Sequence, residues 1–305
     1  MQISVVIPTY NRSSILQECL QALVEQDLPK KDYEVIVVDD GSQDRTKEVA
    51  EEFVHAHDHI HYFHQKNQGQ GKARNLGFEH AKGSIIVLIN DDMIVRKDFL
   101  TQHLRTHLRH PGEHEVVLGL TLWHPRLEKT PLMNWLTNGS TVLGRFGGHQ
   151  FAYEKLEGKT DADYNFFYTS NLSLKKSLLE KYPFDPAFSG YGWEDIELGY
   201  RLTKEAGMKL YYNKDAIGFH DHFLTEEAMK KRMYNIGKAA WIIHEKYPEL
   251  GKVPSKMKQF AFWLFSNRLA LAVLRMIRDL TQGHVTNFYY YALSKRYFLE
   301  GLHNR

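Results

Sequence analysis

Short runs of apolar residues alternate with segments of helical periodicity over the first 90 residues or so of the chain. The runs are Ile3–Ile7, Glu34–Val38, Ile60–Phe63 and Ile85–Ile89. Each suits a buried strand, and apolar residues recur at helical spacing between them. The pattern predicts the order β-α-β-α-β-α-β, and hence an α/β fold with a mostly parallel central sheet flanked by helices. Sheets of this kind bind ligands beyond the carboxyl ends of their strands.

The first predicted helix contains the single cysteine of the chain, Cys19. Ser14 and Gln17 match a capping box at its start. One cysteine excludes an internal disulfide and a cysteine-rich zinc site. Because Cys19 stands among apolar residues at helical spacing, we expect a core thiol.

The strand–helix rhythm breaks down between about residues 121 and 164. Within this stretch, Leu143–Gln150 is rich in glycine, with an arginine, a phenylalanine and a histidine interleaved. That composition suits either a lid that closes over a ligand or a plain surface loop. Phe166–Asn171 reads as a strand returning to the site, and the Asn171 amide is a candidate to bind a donor or acceptor sugar.

The chain from about Thr225 onwards is helical in pattern and rich in aromatic and basic residues. Phe260–Leu274 is nearly apolar, but Asn267 and Arg268 interrupt it, and it is shorter than the ~20 residues that span a bilayer. Three interpretations stay open for these helices: contact with an anionic membrane surface, a homodimer interface, or packing within the chain.

Composition limits the choice of partners and compartment. The 305 residues are 43% hydrophobic and carry 39 basic and 37 acidic side chains, a net charge of +2. We therefore expect a globular protein that does not bind nucleic acid. Ile3–Ile7 is too short for the apolar region of a signal peptide. These features predict a cytoplasmic protein, which would lie on the inner face of the membrane if its C-terminal helices bind lipid.

Acidic clusters follow two of the predicted strands. Asp39 and Asp40 come after the second strand, and Asp91 and Asp92 after the fourth. Two such clusters at one sheet edge would repel each other without a cation or hydrogen-bond donors between them. Carboxylates suit Mg²⁺ or Mn²⁺, and Mg²⁺ is commonly held by one or two carboxylates and substrate phosphates. The clusters therefore predict a nucleotide diphosphate site with a metal. The alternative is that all four residues form turns and helix caps.

A third acidic pair, Glu194 and Asp195, opens a predicted helix after a glycine-rich loop at 190–192. Ionised carboxylates are favoured at a helix N-terminus, and one placed there can serve as a base. Trp193 offers a flat apolar platform for a sugar or a base. The alternative is an ordinary acidic N-terminus beside a core tryptophan.

Six motifs in this order give the chain a resemblance to the inverting glycosyltransferases of family two, which have the GT-A fold. The resemblance covers about residues 1 to 222. The motifs are Val5–Arg12, Val37–Asp44, Lys72–Gly77, Asn90–Asp92, Asn171–Ser173 and Trp193–Asp195. The resemblance implies a nucleotide-binding half at about 1–120 and an acceptor half at about 121–224, while the helical pattern from Thr225 predicts a C-terminal extension over 225–305.

The resemblance also implies roles for individual residues. Asp195 would be the general base, with Glu194 beside it contacting donor or acceptor, and Asp92 would hold the metal. Asp91 would bind the ribose or donor sugar, and Arg74 would brace the pocket or reach the diphosphate. The implied nucleotide-binding residues are Pro8, Thr9, Tyr10, Arg12, Asp39, Asp40, Lys72, Arg74 and Asp91.

In the resembling family, a histidine at the end of a later strand can complete the metal site. His220 occupies that position here, and His222, two residues on, is a second candidate or an acceptor contact. The first acid of the family's Asp-x-Asp motif is replaced by Asn90.

The sequence thus predicts a metal-assisted, inverting glycosyltransferase that uses a nucleotide-diphosphate sugar, with UDP as the first choice of nucleotide. The acceptor would be a hydroxyl of a glycan or of a lipid-linked saccharide. Three alternatives stay open. A sugar-nucleotide nucleotidyltransferase would carry a glycine-rich loop after the first strand, where this chain has Pro8–Tyr10. A glycosidase needs carboxyls on opposite sides of the bond, and Glu194 and Asp195 are adjacent. A non-catalytic sugar-nucleotide binding protein would tolerate loss of Asp195.

Overall fold

The computed structural model describes residues 1–139, 152–188, 192–281 and 285–304. The predicted glycine-rich lid or loop at Leu143–Gln150 lies outside these residues. The described strands are β1 Ile3–Thr9, β2 Tyr33–Asp39, β3 Ile60–His64, β4 Ile85–Ile89, β5 Met93–Val95, β6 Glu115–Trp123, β7 Asp161–Ala162, β8 Asn171–Lys175 and β9 Lys209–His220. The described α-helices are α1 Ser13–Val24, α2 Thr46–Ala56, α3 Gln70–His80, α4 Phe99–Arg109, α5 Pro131–Asn138, α6 Lys176–Lys181, α7 Glu194–Ala206, α8 Glu226–Lys246, α9 Lys256–Ser266, α10 Arg268–Thr281 and α11 Thr286–His303.

The strands form one mixed sheet in the order β3-β2-β1-β4-β8-β6-β9-β5, with β7 paired to β9. Strands β1 to β4 are parallel, as predicted, while β8 runs antiparallel to both β4 and β6. Strand β6 is parallel to β9, which in turn pairs antiparallel with β5. The α/β fold class is confirmed, and each antiparallel pair involves β8 or β9, the two strands that follow the stretch where the sequence rhythm broke down.

Two local predictions were wrong. Helix α1 begins at Ser13 without a side-chain cap, so Ser14 and Gln17 do not form a capping box. Phe166 ends a short 3₁₀ turn, and the strand that returns to the sheet begins at Asn171. Phe167 is fully buried and lies against Gly199 of α7, so aromatic packing rather than strand pairing explains this apolar stretch.

The described residues pack as two units. The first comprises Met1–Arg126, Leu156–Ser189 and Glu194–His222, and it contains the whole sheet. Its aliphatic core is built from β1, β2 and β4 against α1, and Cys19 lies buried in it, which confirms the predicted core thiol.

The second unit comprises Leu127–Lys155, Gly190–Trp193 and Phe223–Arg305. Within it α8 and α11 approach closely at a pair of glycines. A Cβ on Gly237 would collide with the backbone of Phe298, and one on Gly301 would collide with the backbone of Tyr234. Helix α9 packs on α11 through aromatic side chains, with ring centroids of Phe265 and Tyr291 5.6 Å apart. The predicted helical C-terminal region is confirmed.

Candidate active site

The carboxyl ends of β1, β2 and β4 meet at one edge of the sheet. The register pairs Thr9 with Asp39 across β1 and β2. Thr9 Oγ1 donates a buried hydrogen bond of 2.8 Å to Asp91 Oδ2, just beyond the end of β4. The structure thus brings together the ends of the three strands that the sequence marked with polar residues.

Asp91 is buried, with 6% of its surface exposed. Burial and the neighbouring charge of Asp92 raise the pKa of Asp91, while Arg12 and the hydrogen bond from Thr9 act in the opposite direction. The Arg12 guanidinium lies 3.6 Å from Asp91 Oδ1. The positive charge of Arg12 therefore stabilises the ionised form of Asp91.

The two carboxylate oxygens of Asp92 differ in their hydrogen bonding. Arg12 donates to Asp92 Oδ2. Among the described residues Asp92 Oδ1 accepts no hydrogen bond, although it is buried and lies 3.4 Å from His220 Nε2. Burial alone would raise the pKa of Asp92, but His220, Arg12 and His222 outweigh burial and hold that pKa below its ordinary value. Asp92 therefore stays ionised, with the capacity to accept a further ligand.

The end of β9 delivers the predicted histidines to this acid. Met93 of β5 pairs with His220, and the Asp221 backbone N–H donates to the Asp92 carbonyl at 2.8 Å. His220 is buried edge-on against Trp123, and the ring of His222 lies 5.9 Å from it. The structure therefore places His220 beside Asp92, and His222 beside His220.

Arg126 and Asp221 belong to the same neighbourhood and escaped the sequence reasoning. Arg126 donates two hydrogen bonds to Glu18, of 2.7 and 2.9 Å, and a further one to the buried Asp221. This bridge links α1 to the residue that follows His220. The alternation His-Asp-His at 220–222 was the sequence signal available for Asp221.

The acids after β2 are occupied differently. Asp39 Oδ1 accepts the backbone N–H of Ser42, and its Oδ2 accepts the hydroxyl of Tyr62, each at 2.8 Å. Asp40 accepts three hydrogen bonds from the loop before α3, given by Gln65 Nε2 at 2.7 Å and by the backbone N–H groups of residues 68 and 69 at 2.8 Å. Asp40 therefore braces a loop.

The other residues predicted to bind nucleotide lie on the same side of the sheet or in the helix beside it. Pro8 is a buried residue of β1, and Tyr10, directly after that strand, is 46% exposed. Lys72 lies in the first turn of α3, with its ammonium 3.4 Å from Gln68 Oε1. An exposed aromatic ring and a helix N-terminus with a lysine both suit a nucleotide.

Arg74 joins the strand edge to the start of α7. Its guanidinium donates to Gln70 and to Asn90 Oδ1, both at 3.1 Å, and lies 3.9 Å from Glu194 Oε1. It also sits over the Phe184 ring and is only 1% exposed. A buried arginine in this position supports a bracing role, and it ties the acidic start of α7 to the end of β4.

The two acids at the start of α7 differ in exposure. Glu194 is buried near Arg74, whereas Asp195 is partly exposed and its Oδ1 accepts the backbone N–H of Ile196 at 2.8 Å. Trp193, the last residue of its segment in the second unit, donates its indole N–H to the Ile236 carbonyl at 2.9 Å. The Lys252 ammonium lies 4.7 Å from the centre of the Trp193 ring.

Backbone strain marks two places beside these residues. Among the described residues, positive φ outside glycine occurs at Asn11, with φ 53°, and at Trp193, with φ 71°. Asn11 directly precedes Arg12, and Trp193 directly precedes Glu194. Left-handed backbone disfavours a bulky residue, and such strain concentrates at functional sites.

The structure corrects the prediction for Asn171. Its side chain is fully buried, and its amide donates to the carbonyls of Leu120 and Ala216 at 3.0 Å. Its Oδ1 accepts from His103 Nε2, also at 3.0 Å. Since these groups use the amide on both sides, Asn171 fixes the sheet instead of binding a sugar.

The residues around Asp92 fit a divalent cation that takes most of its ligands from elsewhere. In the described part of the chain, no three His, Cys, Asp or Glu side chains are arranged to hold a metal ion. The donor set is the unsatisfied Asp92 oxygen and the nearby His220 imidazole. An Mg²⁺ or Mn²⁺ ion bound by one or two protein groups normally completes its shell with phosphate oxygens and water.

Comparison with known proteins gives these features a family. A model described as "Glycosyl transferase family 2" matches residues 4–155. Glycosyltransferase AglE of Haloferax volcanii is 30% identical over 239 residues, 77% of this chain and 72% of AglE. Validoxylamine A glucosyltransferase of Streptomyces hygroscopicus subsp. jinggangensis is 29% identical over 284 residues, and the match spans 87% of this chain and 64% of that protein.

One further relative is a dolichyl N-acetyl-alpha-D-glucosaminyl phosphate 3-beta-D-2,3-diacetamido-2,3-dideoxy-beta-D-glucuronosyltransferase of Methanococcus voltae. It is 27% identical over 232 residues, 75% of this chain and 68% of its own length.

Two solved structures share the fold. The mannosyltransferase PcManGT from Pyrobaculum calidifontis, in complex with GDP-Man and Mn²⁺, matches with a TM-score of 0.63 at 17% identity, over 100% of this chain and 88% of its own. S. aureus TarS 1-349 in complex with UDP matches with a TM-score of 0.52 at 16% identity, over 99% and 89%. At these identities the likeness establishes the fold.

Proposed function

Because the chain belongs to glycosyl transferase family 2 and is a glycosyltransferase that uses a nucleotide-sugar donor, we propose an inverting transfer in which Asp195 is the general base. The acceptor is a hydroxyl of a glycan or of a lipid-linked saccharide. The M. voltae relative, whose name describes a dolichyl phosphate-linked acceptor, supports the second kind. The solved complexes with UDP and GDP-Man make these two nucleotides the first to test.

The observation that carries this proposal is the buried link made by Arg74. One guanidinium contacts Asn90 at the end of β4 and lies near Glu194 at the start of α7. Arg74 thus connects the end of β4, where Asp91 and Asp92 suit a diphosphate with its metal, to the start of α7, where Glu194 and Asp195 suit an acceptor. A transferase needs both, because a leaving diphosphate carries charge while an incoming hydroxyl must lose a proton.

The exposure of the two α7 acids supports Asp195, rather than Glu194, as the base. Glu194 is buried and faces Arg74, so its charge is committed to that pair. Asp195 is partly exposed, and the N–H of Ile196 holds its carboxylate at the positive end of the helix dipole. In the proposed reaction Asp195 takes the proton of the acceptor hydroxyl as its oxygen attacks the anomeric carbon. A single displacement of this kind inverts that carbon.

At the other end of the reacting bond, Asp92 and His220 would hold Mg²⁺ or Mn²⁺. When bound, the ion neutralises charge that develops on the leaving diphosphate. Arg12 faces both Asp91 and Asp92 and is positioned to stabilise the same charge. Residues Pro8 to Arg12, with Asp39 and Lys72, would surround the nucleotide, and Trp193 and His222 stay predictions as sugar contacts. We further propose that 1–224 forms the catalytic domain and 225–305 an accessory one.

The test compares Asp195→Asn with the parent enzyme. Release of nucleoside diphosphate from a panel of UDP- and GDP-sugars is measured first, with simple sugars as acceptors. For the active donor, NMR of the first product gives the anomeric configuration. We expect inversion, and a loss of at least about 10³-fold in kcat for Asp195→Asn with nucleotide affinity retained.

The matched control is Asp215→Asn, an exposed acid of the same unit, which should leave kcat unchanged. Retention of the anomeric configuration, or parental turnover by Asp195→Asn, would contradict the proposal. Loss of nucleotide affinity in Asp195→Asn would instead assign that residue to donor binding.

A further inference from the structure

Helices α9 and α10 carry an exposed apolar face. Its members recur at spacings of three and four residues on the solvent side of each helix: Met257, Phe260, Ala261 and Leu264 on α9, and Leu269, Ala272, Val273, Met276 and Leu280 on α10. Met257 is 82% exposed, and Leu269 and Leu280 are each 76% exposed. Soluble helices bury a stripe of this kind, and a contiguous exposed patch marks an interaction surface.

The same helices also have a second apolar side that packs against the rest of the unit. The exposed face is therefore not the side by which they pack. Phe262 and Phe265 of α9 are only partly exposed, and Phe265 lies against Phe288 and Tyr291 of α11, with ring centroids 5.7 and 5.6 Å apart. The helices already have a partner on one side. The apolar face is therefore additional to what their packing requires.

Charge indicates what covers this face. Residues 256–281 contain five basic side chains, Lys256, Lys258, Arg268, Arg275 and Arg278, and one acidic side chain, Asp279. Lys256, Lys258 and Arg268 are exposed at the edge of the face or at the break between the helices. An anionic lipid surface complements such a set of charges. A second copy of the chain, docked face to face, would bring like charges together.

The lengths of the helices indicate how they lie. No single helix in the described part of the chain is long and apolar enough to cross a bilayer; α9 and α10 reach that length and apolarity only as a pair bent by 47°. The bend falls at Asn267, next to the exposed Arg268. An arginine there would lie deep in hydrocarbon if the pair spanned the bilayer, but reaches the headgroups if both helices lie along the surface. Trp263, 53% exposed, suits the same interface.

We propose that α9 and α10 form an in-plane binding surface for anionic phospholipid bilayers. The apolar face enters the boundary between headgroups and acyl chains, and the exposed lysines and arginine pair with lipid phosphates. This inference stands on the second unit and goes beyond the proposed transfer reaction. A surface of this kind concentrates the enzyme where lipid-linked acceptors are found.

The test is co-sedimentation of the full chain with vesicles, without sugar donor, so the outcome is independent of the transfer reaction. We expect binding to vesicles with about 30% phosphatidylglycerol at least about tenfold tighter than to pure phosphatidylcholine, weakening as salt rises. Leu269→Glu should weaken binding about tenfold or more, because a charge replaces an inserted side chain.

The matched control is Leu108→Glu, since Leu108 is 69% exposed on α4 of the first unit. It should bind vesicles like the parent, and circular dichroism should show both variants folded. Failure of the parent chain to bind phosphatidylglycerol vesicles would overturn the proposal, as would equal loss in both variants. Sedimentation velocity tests the alternative that a second copy of the chain covers this face. A dimer of the parent chain that dissociates in Leu269→Glu would assign the face to that second copy.

Discussion

Two pairs of adjacent aspartates lie at the carboxyl ends of β2 and β4, two parallel strands of the same sheet, and their hydrogen bonding differs. Asp40, after β2, accepts three hydrogen bonds from its own chain, and Asp39 accepts two. Asp92, after β4, faces Arg12 and His220 and keeps one oxygen without a hydrogen-bond donor among the described residues. The supply of local donors distinguishes an acid that braces a loop from an acid that can bind a ligand.

Asn171 resembles Asp39 and Asp40, because other groups of the chain use the hydrogen-bonding atoms of its side chain. It lies in a buried chain of polar groups in which His103 bonds to both Asn171 and Ser173, and His107 bonds to the same Ser173 hydroxyl. Because the Asn171 amide nitrogen donates to two carbonyls, its oxygen accepts and His103 Nε2 carries a proton. Ser173 then donates to His103 Nδ1 and accepts from His107 Nε2. Both imidazoles are neutral in this arrangement.

The largest expected effect comes from Asp92. Asp92→Asn removes the ionised oxygen on which the proposed cation site depends, so kcat/KM should fall by about 10³-fold. The free energy of unfolding should change by no more than about 1 kcal/mol, since the amide keeps the shape of the carboxylate. Steady-state assays and urea titrations measure the two quantities. A variant that keeps its activity but loses its stability would place Asp92 with the bracing residues.

Asp40→Asn should show the reverse pattern. The amide NH₂ cannot accept the hydrogen bonds that one carboxylate oxygen now takes, so a partly buried N–H loses its acceptor. We expect the free energy of unfolding to fall by about 2 to 3 kcal/mol while kcat stays within about threefold. Asp215→Asn, on the surface of the same unit, serves as the control in urea titrations. Lost turnover without lost stability would show that Asp40 acts on the substrate.

The polar chain around Asn171 predicts a smaller, pH-dependent effect. Burial lowers the pKa of His107 to about 3 and that of His103 to about 4, although the hydrogen bond that His103 donates to Asn171 opposes the shift in His103. The unfolded chain binds protons below its histidine pKa, whereas the fold excludes them until a much lower pH. Stability is therefore full above about pH 6.5 and falls as the solution is acidified, by about 1.4 kcal/mol per histidine at pH 5.5.

His107→Gln removes one of these titrating groups and keeps a hydrogen-bonding side chain. The loss of unfolding free energy between about pH 7.5 and 5.5 should shrink by about 1.4 kcal/mol relative to the parent. Gln17→Ala, an exposed change on α1 that removes no titrating group, should leave that pH dependence unaltered. An unchanged pH dependence in His107→Gln would show that this histidine is charged in the folded protein.

The first half of the sheet was predictable because each of its strands is a local run rich in apolar residues, and β1, β2 and β4 are buried along their whole length. Strand β4 has the predicted bounds, and β1 and β2 differ from prediction by one or two residues. The second half was not, because β5, β8 and β9 are defined by antiparallel pairing with distant strands. The pairing of Met93 with His220, for example, joins residues far apart in sequence and leaves no local pattern.

The candidate site shows the same limit. The positions of Thr9, Asp39, Asp91 and Asp92 at the ends of predicted strands placed them at one edge of the sheet, because the carboxyl ends of parallel strands lie at the same edge. The sequence could not tell which acids find donors nearby, as the loop that satisfies Asp40 lies 25 to 29 residues further along. Nor could it find the Arg126–Asp221 bridge or the packing of Gly237 against α11, since both depend on side chains or backbone brought close only by the fold.

The most direct test of the difference between the two acid pairs is calorimetric titration with UDP and GDP, with and without Mn²⁺, of the parent, Asp92→Asn and Asp40→Asn. We expect Mn²⁺ to tighten binding of one nucleotide by about tenfold or more in the parent and in Asp40→Asn, and by less than about twofold in Asp92→Asn. An equal effect of Mn²⁺ in Asp92→Asn and in the parent would contradict this account, because the ion would then bind without the Asp92 carboxylate as a ligand.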